Sequence, residues 1–266
     1  MLTIHRGTWP RLYVDLLRRA SEEGYARPSR EGETIELGPA IVSCPAPVFL
    51  ELIGRAGSAE FARLEQLCYL GGWDPEPLLR VAPHYDRFRE KDGRWLGAYG
   101  PRLYGPILQV VRELSRHPFS RRGVALIWRE NDIDLVLDGN PKDVPCTIAL
   151  TFWCGPAGEV RCQAHMRSCD LWFGLYYDLP AFAFLQRSIA KSLKRAVGQT
   201  YLNATSLHLY SKDLKRAGTV KPTPINEIRV HATLPEPNGG DGPARFMWLQ
   251  GWAREQLKES THVGQT

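Results

Sequence analysis

The sequence predicts an α+β domain, a mixed β-sheet covered by helices. Three observations predict it. Amphipathic helical stretches and short apolar strands are interspersed along the chain. A Gly155-Pro156-Ala157-Gly158 turn joins two strand-like segments. No internal repeat, low-complexity tract or clear linker divides the 266 residues, so one domain over residues 1–266 is expected.

The elements follow in chain order. Thr8-Trp9-Pro10 carries a cap residue and an early proline, and Leu12, Leu16 and Ala20 line one side of the helix they open, which Gly24 ends. Arg27 to Glu33 reads as a polar loop. Pro47 to Tyr69 has helical spacing, broken near Gly54 to Ser58, and Gly71 to Pro75 reads as a loop. Pro101 to Ser115 places Leu103, Ile107, Val110, Val111 and Leu114 on one helical side. Gly123 to Trp128 reads as a buried strand, and Thr147 to Cys154 with Glu159 to Ser168 as a hairpin. Leu179 to Ala196 is an apolar, central helix, and strands are expected at Thr200 to Tyr210 and Glu227 to Thr233. The glycine-rich stretch 238–243 precedes a final amphipathic helix.

Composition bounds the function classes. Hydrophobic residues make up 43% and charged residues 24%, as in soluble globular proteins. No apolar run reaches the roughly 20 residues of a membrane span, and Met1 to Arg6 lacks a signal-peptide core, so a cytoplasmic protein is expected. The net charge of +5 suits a phosphate-bearing substrate and equally suits a mildly basic surface without meaning. The basic residues form no long tract, so polymeric nucleic acid is not expected as a partner. The six cysteines are expected to be reduced. A zinc site from Cys154, Cys162, His165 and Cys169 has the wrong spacing, because a strand throws Cys162 and His165 to opposite faces. No metal is expected.

Cys146 follows Pro145 and precedes an apolar strand. Its position alone favours a buried structural thiol. Its surroundings point to chemistry: an antiparallel pairing with the next strand brings Arg167 close, and a guanidinium favours the nucleophilic thiolate. Arg121-Arg122 is either a solvated pair or a double fork for a phosphate, to which Arg30 and Ser168 could add. His208 and Tyr210 share one strand face and either bind a sugar hydroxyl or finish a sheet edge. Asp178 precedes Leu179-Pro180, where it reads as a helix cap.

In this order, Ser120-Arg121-Arg122, Pro145-Cys146, Arg167-Ser168-Cys169-Asp170, Gly174-Leu175 and His208-Leu209-Tyr210 resemble thymidylate synthase, with Asp92-Gly93, Tyr99-Gly100 and the Arg30-Gly32 loop ahead of them. The resemblance covers roughly residues 8 to 212. It implies that fold, a sheet-to-sheet homodimer, a pyrimidine nucleoside monophosphate as substrate and 5,10-methylenetetrahydrofolate as co-substrate. It implies that Cys146 attacks C6 of the base. Arg30, Arg167 and Ser168 would hold the 5′-phosphate, joined by Arg121 and Arg122 from the partner subunit. His208 and Tyr210 would bind the sugar 3′-hydroxyl, Asp170 would face the folate and fix the base, and Tyr85 would line the folate side. Glu51 and Tyr99 would organise water and protons around the base.

The departures narrow the expectation. The family's uracil-reading asparagine is Asp178 here, the histidine after its cysteine is Thr147, and its Gly-Gly-Asp is Ala204-Thr205-Ser206. The family's closing tail is not visible in Leu257 to Thr266. The aspartate resembles the cytidylate hydroxymethylase branch. A neutral carboxyl accepts from cytosine N4 and donates to N3, and burial favours that neutral form. The expected activity is therefore 5-hydroxymethylation of CMP or dCMP. The alternatives are methylation of the thymidylate synthase type, ended by hydride transfer, and a nucleotide- or RNA-binding homologue without catalysis.

Overall fold

The computed structural model describes residues 1–139, 141–222 and 233–262. Eight strands form one sheet: β1 (Leu2–His5), β2 (Tyr25–Ser29), β3 (Gly32–Pro45), β4 (Val124–Leu126), β5 (Thr147–Cys154), β6 (Val160–Met166), β7 (Cys169–Asp170) and β8 (Val197–Tyr210). Their order is β1-β3-β8-β6-β5-β4, with β2 paired to β3 and β7 to β8. The sheet is mixed: β1 with β3, β6 with β8 and β7 with β8 run parallel, and the other pairs are antiparallel.

Register sorts the side chains. Cys44, Thr200, Cys162 and Phe152 form one inward row, and Val42, Leu202, Ala164 and Leu150 another, all 1% exposed or less. The intervening residues Tyr201, Gln163, Thr151, Trp153, Asn203 and His165 point the other way and are half-buried. Burial of the inward rows comes from α1 (Trp9–Glu23), α3 (Tyr99–Arg116) and α5 (Gly174–Ser192), which pack on the sheet. In α5, Leu175, Tyr176, Leu179, Phe182, Phe184, Leu185 and Ile189 are buried, the pattern of a helix enclosed nearly all round. Its buried Gln186 donates to Val160 O (2.8 Å) and Gly198 O (3.1 Å) and accepts from Thr200 Oγ1 (2.5 Å), which ties α5 to both β6 and β8.

Around this core lie α2 (Ala59–Gly71), α4 (Asn131–Gly139), α6 (Leu214–Ala217) and α7 (Gly242–His262). Ser58 caps α2 by accepting from Phe61 N at 3.0 Å, and Gly72 ends it with φ 73°, a conformation suited to glycine. The final helix α7 packs on α2, α3 and α5 through Phe246, Leu249, Ala253 and Leu257. The chain leading to Cys146 is clamped twice. Arg102 and Asp132, 7% and 2% exposed, form a two-pronged ion pair at 2.6 and 2.7 Å, and Trp128 Nε1 donates to Pro145 O at 2.7 Å. Removing one partner of so buried a pair typically costs about 3–5 kcal/mol.

Several expectations are corrected. Arg27 to Glu33 is no loop: it is a β2–β3 hairpin turning at Ser29–Gly32. The 14-residue β3 escapes the alternation rule because bulges around Gly38 shift its register. Residues 47–58 are not helical, and the helix begins only at Ala59, where Ser58 supplies the cap. The strand at Gly123 to Trp128 is short and at the sheet edge, with Val124 43% and Leu126 60% exposed rather than buried. Helix α4, within 131–139, was not foreseen. Helix α5 starts five residues earlier than Leu179 and runs through Pro180, because the packed turns on either side hold it. Of the strand expected at Glu227 to Thr233, all but Thr233 lies outside the described residues.

Candidate active site

The turn before β5 and the end of β6 bring Cys146 and Arg167 together. Arg167 N donates to Cys146 O at 2.9 Å, as expected of the hairpin. The guanidinium is held by Nε to Pro145 O (3.1 Å) and Nη2 to Val144 O (3.0 Å), and Nη2 lies 3.7 Å from the Cys146 sulfur. The thiol is free and half-buried. Burial pushes it up to about 11, with Arg167 pulling the other way and the carboxyls of Asp178, Asp143 and Asp170 adding to the rise. The guanidinium alone therefore does not make a thiolate of this cysteine.

Asp178 lies in the second turn of α5, so it caps nothing. The turn ahead of that helix is held by Asp170, whose Oδ1 accepts from Trp172 N (3.0 Å) and Oδ2 from Phe173 N (2.9 Å). A Cβ built on Gly174 would lie 3.4 Å from Asp178 Oδ2 and 3.8 Å from Asp170 Cβ, so both acids flank the same point of the helix. Burial, reinforced by the Asp170 charge, pushes Asp178 up to about 8. At neutral pH it holds its proton. Asp170 is itself raised by burial, against its two backbone donors and His208.

Sequence reading missed the second acid at this place. Glu65 of α2 is 6% exposed and pushed well above the ordinary range by burial and by Asp178, while Tyr69 donates to its Oε1 at 3.3 Å. Glu65 Oε2 is buried without a hydrogen-bond partner among the described residues. The signal was present as a glutamate among Ala62, Leu64, Leu67 and Cys68 on a buried helix. Glu51, expected in this part, is exposed on the stretch after β3. Tyr99 lies beside Cys146: its hydroxyl accepts from Thr147 N at 3.0 Å, and burial, then Asp178 and Cys146, raise its phenol.

Beyond Cys146, β8 contributes His208 and Tyr210, their rings edge to face at 5.4 Å. Burial raises the Tyr210 phenol, with Asp170, Glu31 and Cys146 adding to the rise and the Ser29 side chain opposing it, which sets the β2–β3 hairpin at this end of the sheet. Arg30 stands at the tip of that hairpin, 68% exposed and paired with Glu31. Ser168 follows Arg167, half-buried. On the other side, Tyr85 packs among Phe61 (5.8 Å), Phe88 (5.0 Å) and Trp95 (6.1 Å), and its phenol feels Glu65 and Asp178.

Arg121 and Arg122 do not join this group within the chain. Gly123 O accepts from Phe152 N at 2.7 Å, so the pair sits at the far end of β5, about 20 Å along the strand from Cys146. Both are exposed, and Arg122 pairs with Glu113 at 2.9 Å. Among the described residues no three His, Cys, Asp or Glu side chains are grouped to hold a metal, and no helix is long and apolar enough to cross a membrane.

A thiol beside a guanidinium, two acids whose carboxyls burial raises and a cluster of aromatic rings suit covalent catalysis on a planar heterocycle. The sequence model of the thymidylate synthase family matches residues 90–231, more than half of the chain, and the chain belongs to that family. Its chemistry is folate-dependent one-carbon transfer to a pyrimidine nucleotide, with methylenetetrahydrofolate as co-substrate.

Proposed function

We propose that the protein hydroxymethylates C5 of a cytidylate, CMP or dCMP. The observation that carries the choice of base is the neutral Asp178 carboxyl, held up to about 8 by burial and Asp170. A carboxyl that keeps its proton donates to cytosine N3 and accepts from the N4 amine, whereas an ionised carboxylate has no hydrogen to offer and would leave N3 unpaired. The hydroxymethyl product rests on the resemblance of the Gly174–Asp178 segment to the cytidylate hydroxymethylases.

In this reading the Cys146 sulfur adds to C6 while Asp178 donates to N3 and draws electrons from the ring. Below pH 8 Asp178 is uncharged, which removes one of the three negative neighbours that hold the thiol up. The co-substrate supplies a methylene carbon, to which C5 bonds. Glu65 and Tyr99 manage water and the C5 proton, Glu65 taking the role expected of Glu51. After tetrahydrofolate departs, water adds to the exocyclic methylene and the sulfur is released. The tilted rings around Tyr85 offer an apolar pocket wall for the folate, and Asp170 faces the folate and helps fix the base.

Arg167, Ser168 and Arg30 bind the 5′-phosphate from the same chain. Arg121 and Arg122, remote from Cys146 in their own chain, reach the phosphate of a partner subunit across the half-buried sheet face. Incubation with CMP, dCMP, UMP or dUMP plus methylenetetrahydrofolate, followed by mass analysis, tests the reading. Hydroxymethylcytidylate is expected. A methylated uridylate would instead place the protein with the methyl-transferring members.

A further inference from the structure

Three groups outside the reacting centre form a chain toward the sugar end of the site. Glu36 of β3 is 2% exposed, and its register partner across the sheet is His208. Glu36 Oε1 accepts from Gly38 N at 3.1 Å, and Oε2 accepts the Ser206 hydroxyl proton at 2.9 Å. Ser206 Oγ then lies 3.2 Å from His208 Nδ1.

The proton count follows from the donor inventory. A serine hydroxyl has one proton, and here it goes to a carboxylate whose two oxygens both act as acceptors. Toward His208 the hydroxyl can present only a lone pair, so Nδ1 must carry the hydrogen. In the neutral imidazole, Nε2 is then an acceptor. We propose that Glu36, acting through Ser206, sets the tautomer of His208 so that its Nε2 accepts from a hydroxyl of the substrate sugar. The family's acidic residue at the Ser206 position is absent, and the carboxylate comes instead from the neighbouring strand. Glu36 and Ser206 are positioning residues. The other ionisable groups around the imidazole are Asp170, in register with His208 on β7, Tyr210 at 5.4 Å, and Arg27, 3.7 Å from Glu36.

The assignment of a sugar as ligand rests on the proposed nucleotide reading, but the tautomer does not. Long-range proton–nitrogen NMR of the ¹⁵N-labelled protein, with the His208 signal assigned through a His208→Asn variant, reads the tautomer directly. The wild type should show Nδ1–H. Ser206→Ala should lose that single form, and Ser206→Thr, which keeps the hydroxyl, should restore it. An Nε2–H ring in the wild type, or an unchanged ring in a folded Ser206→Ala, overturns the proposal. The second arm compares a cytidylate with its 3′-deoxy analogue. Ser206→Ala should raise KM for the 3′-hydroxyl nucleotide about tenfold and leave KM for the analogue as in the wild type. Equal changes for both nucleotides would also overturn it. If the wild type turns over no nucleotide, the nucleotide reading has failed, and the tautomer arm still decides the relay.

Discussion

Arg167 holds its guanidinium 3.7 Å from the sulfur of Cys146, yet the thiol is pushed up to about 11. Burial and three carboxyl neighbours outweigh one exposed guanidinium. The free protein should therefore alkylate slowly at Cys146, with a rate rising about tenfold per pH unit between pH 7 and 10 because only the thiolate reacts. Arg167→Ala should lower the rate further across this range, since it removes the one group that favours thiolate. Peptide mapping after iodoacetamide treatment measures it, and a plateau below pH 9 would contradict the assigned environment.

Cys146→Ala should abolish turnover and leave nucleotide binding largely intact, because it removes the covalent route and not the phosphate contacts. Glu65→Gln should do likewise, lowering kcat by about a hundredfold or more, the range of a lost acid–base group. Glu51→Gln should stay within a few fold of the wild type. Steady-state kinetics with calorimetric binding separates these outcomes, and near-normal kcat in Glu65→Gln would return the role to another group.

Asp178→Asn should move preference from cytidylate toward uridylate, changing relative kcat/KM by roughly ten- to a hundredfold. Both nucleotides must carry the same sugar. In the wild type, cytidylate turnover should fall as pH rises through about 8, where Asp178 loses its proton.

Stability should follow the same group. Its folded pKa of about 8 lies above the ordinary 3.8, so between those values the folded state keeps a proton that the unfolded chain has released. Stability from this group is therefore lost as pH rises from about 4 to 8, and no more is lost above. Asp178→Asn, which does not titrate, should gain Tm over the wild type by several degrees more at pH 9 than at pH 5, measured by calorimetry. A difference independent of pH would mean that Asp178 is ionised when folded.

Mixing inactive Cys146→Ala with inactive Arg121→Ala subunits should restore about a quarter of wild-type activity, since half the dimers are hybrids and each hybrid has one intact site. No recovery after verified subunit exchange would place each phosphate site within one chain.

Sequence pattern alone was enough for the α+β class, for helices α1, α3 and α7, for the β5–β6 hairpin and for the meeting of Cys146 with Arg167. These depend on local periodicity, on turn residues and on the two-residue repeat of a strand, all of which operate over short chain distances. The order of short motifs also sufficed to point to the family. What tertiary structure alone decided involves groups distant in the chain. Glu65 and Asp178 are 113 residues apart, and only the packing of α2 against α5 lets Asp178 raise Glu65. The bulged β3 hid its own alternation and so concealed Glu36, whose link to His208 exists only because β3 and β8 pair. Asp178 reads as a helix cap from its neighbours, and becomes a half-buried acid because α5 begins four residues earlier, at Gly174, and packs against α2 and the sheet. A protonation state is set by desolvation and by nearby charges, and both are properties of the packed chain rather than of any segment of it.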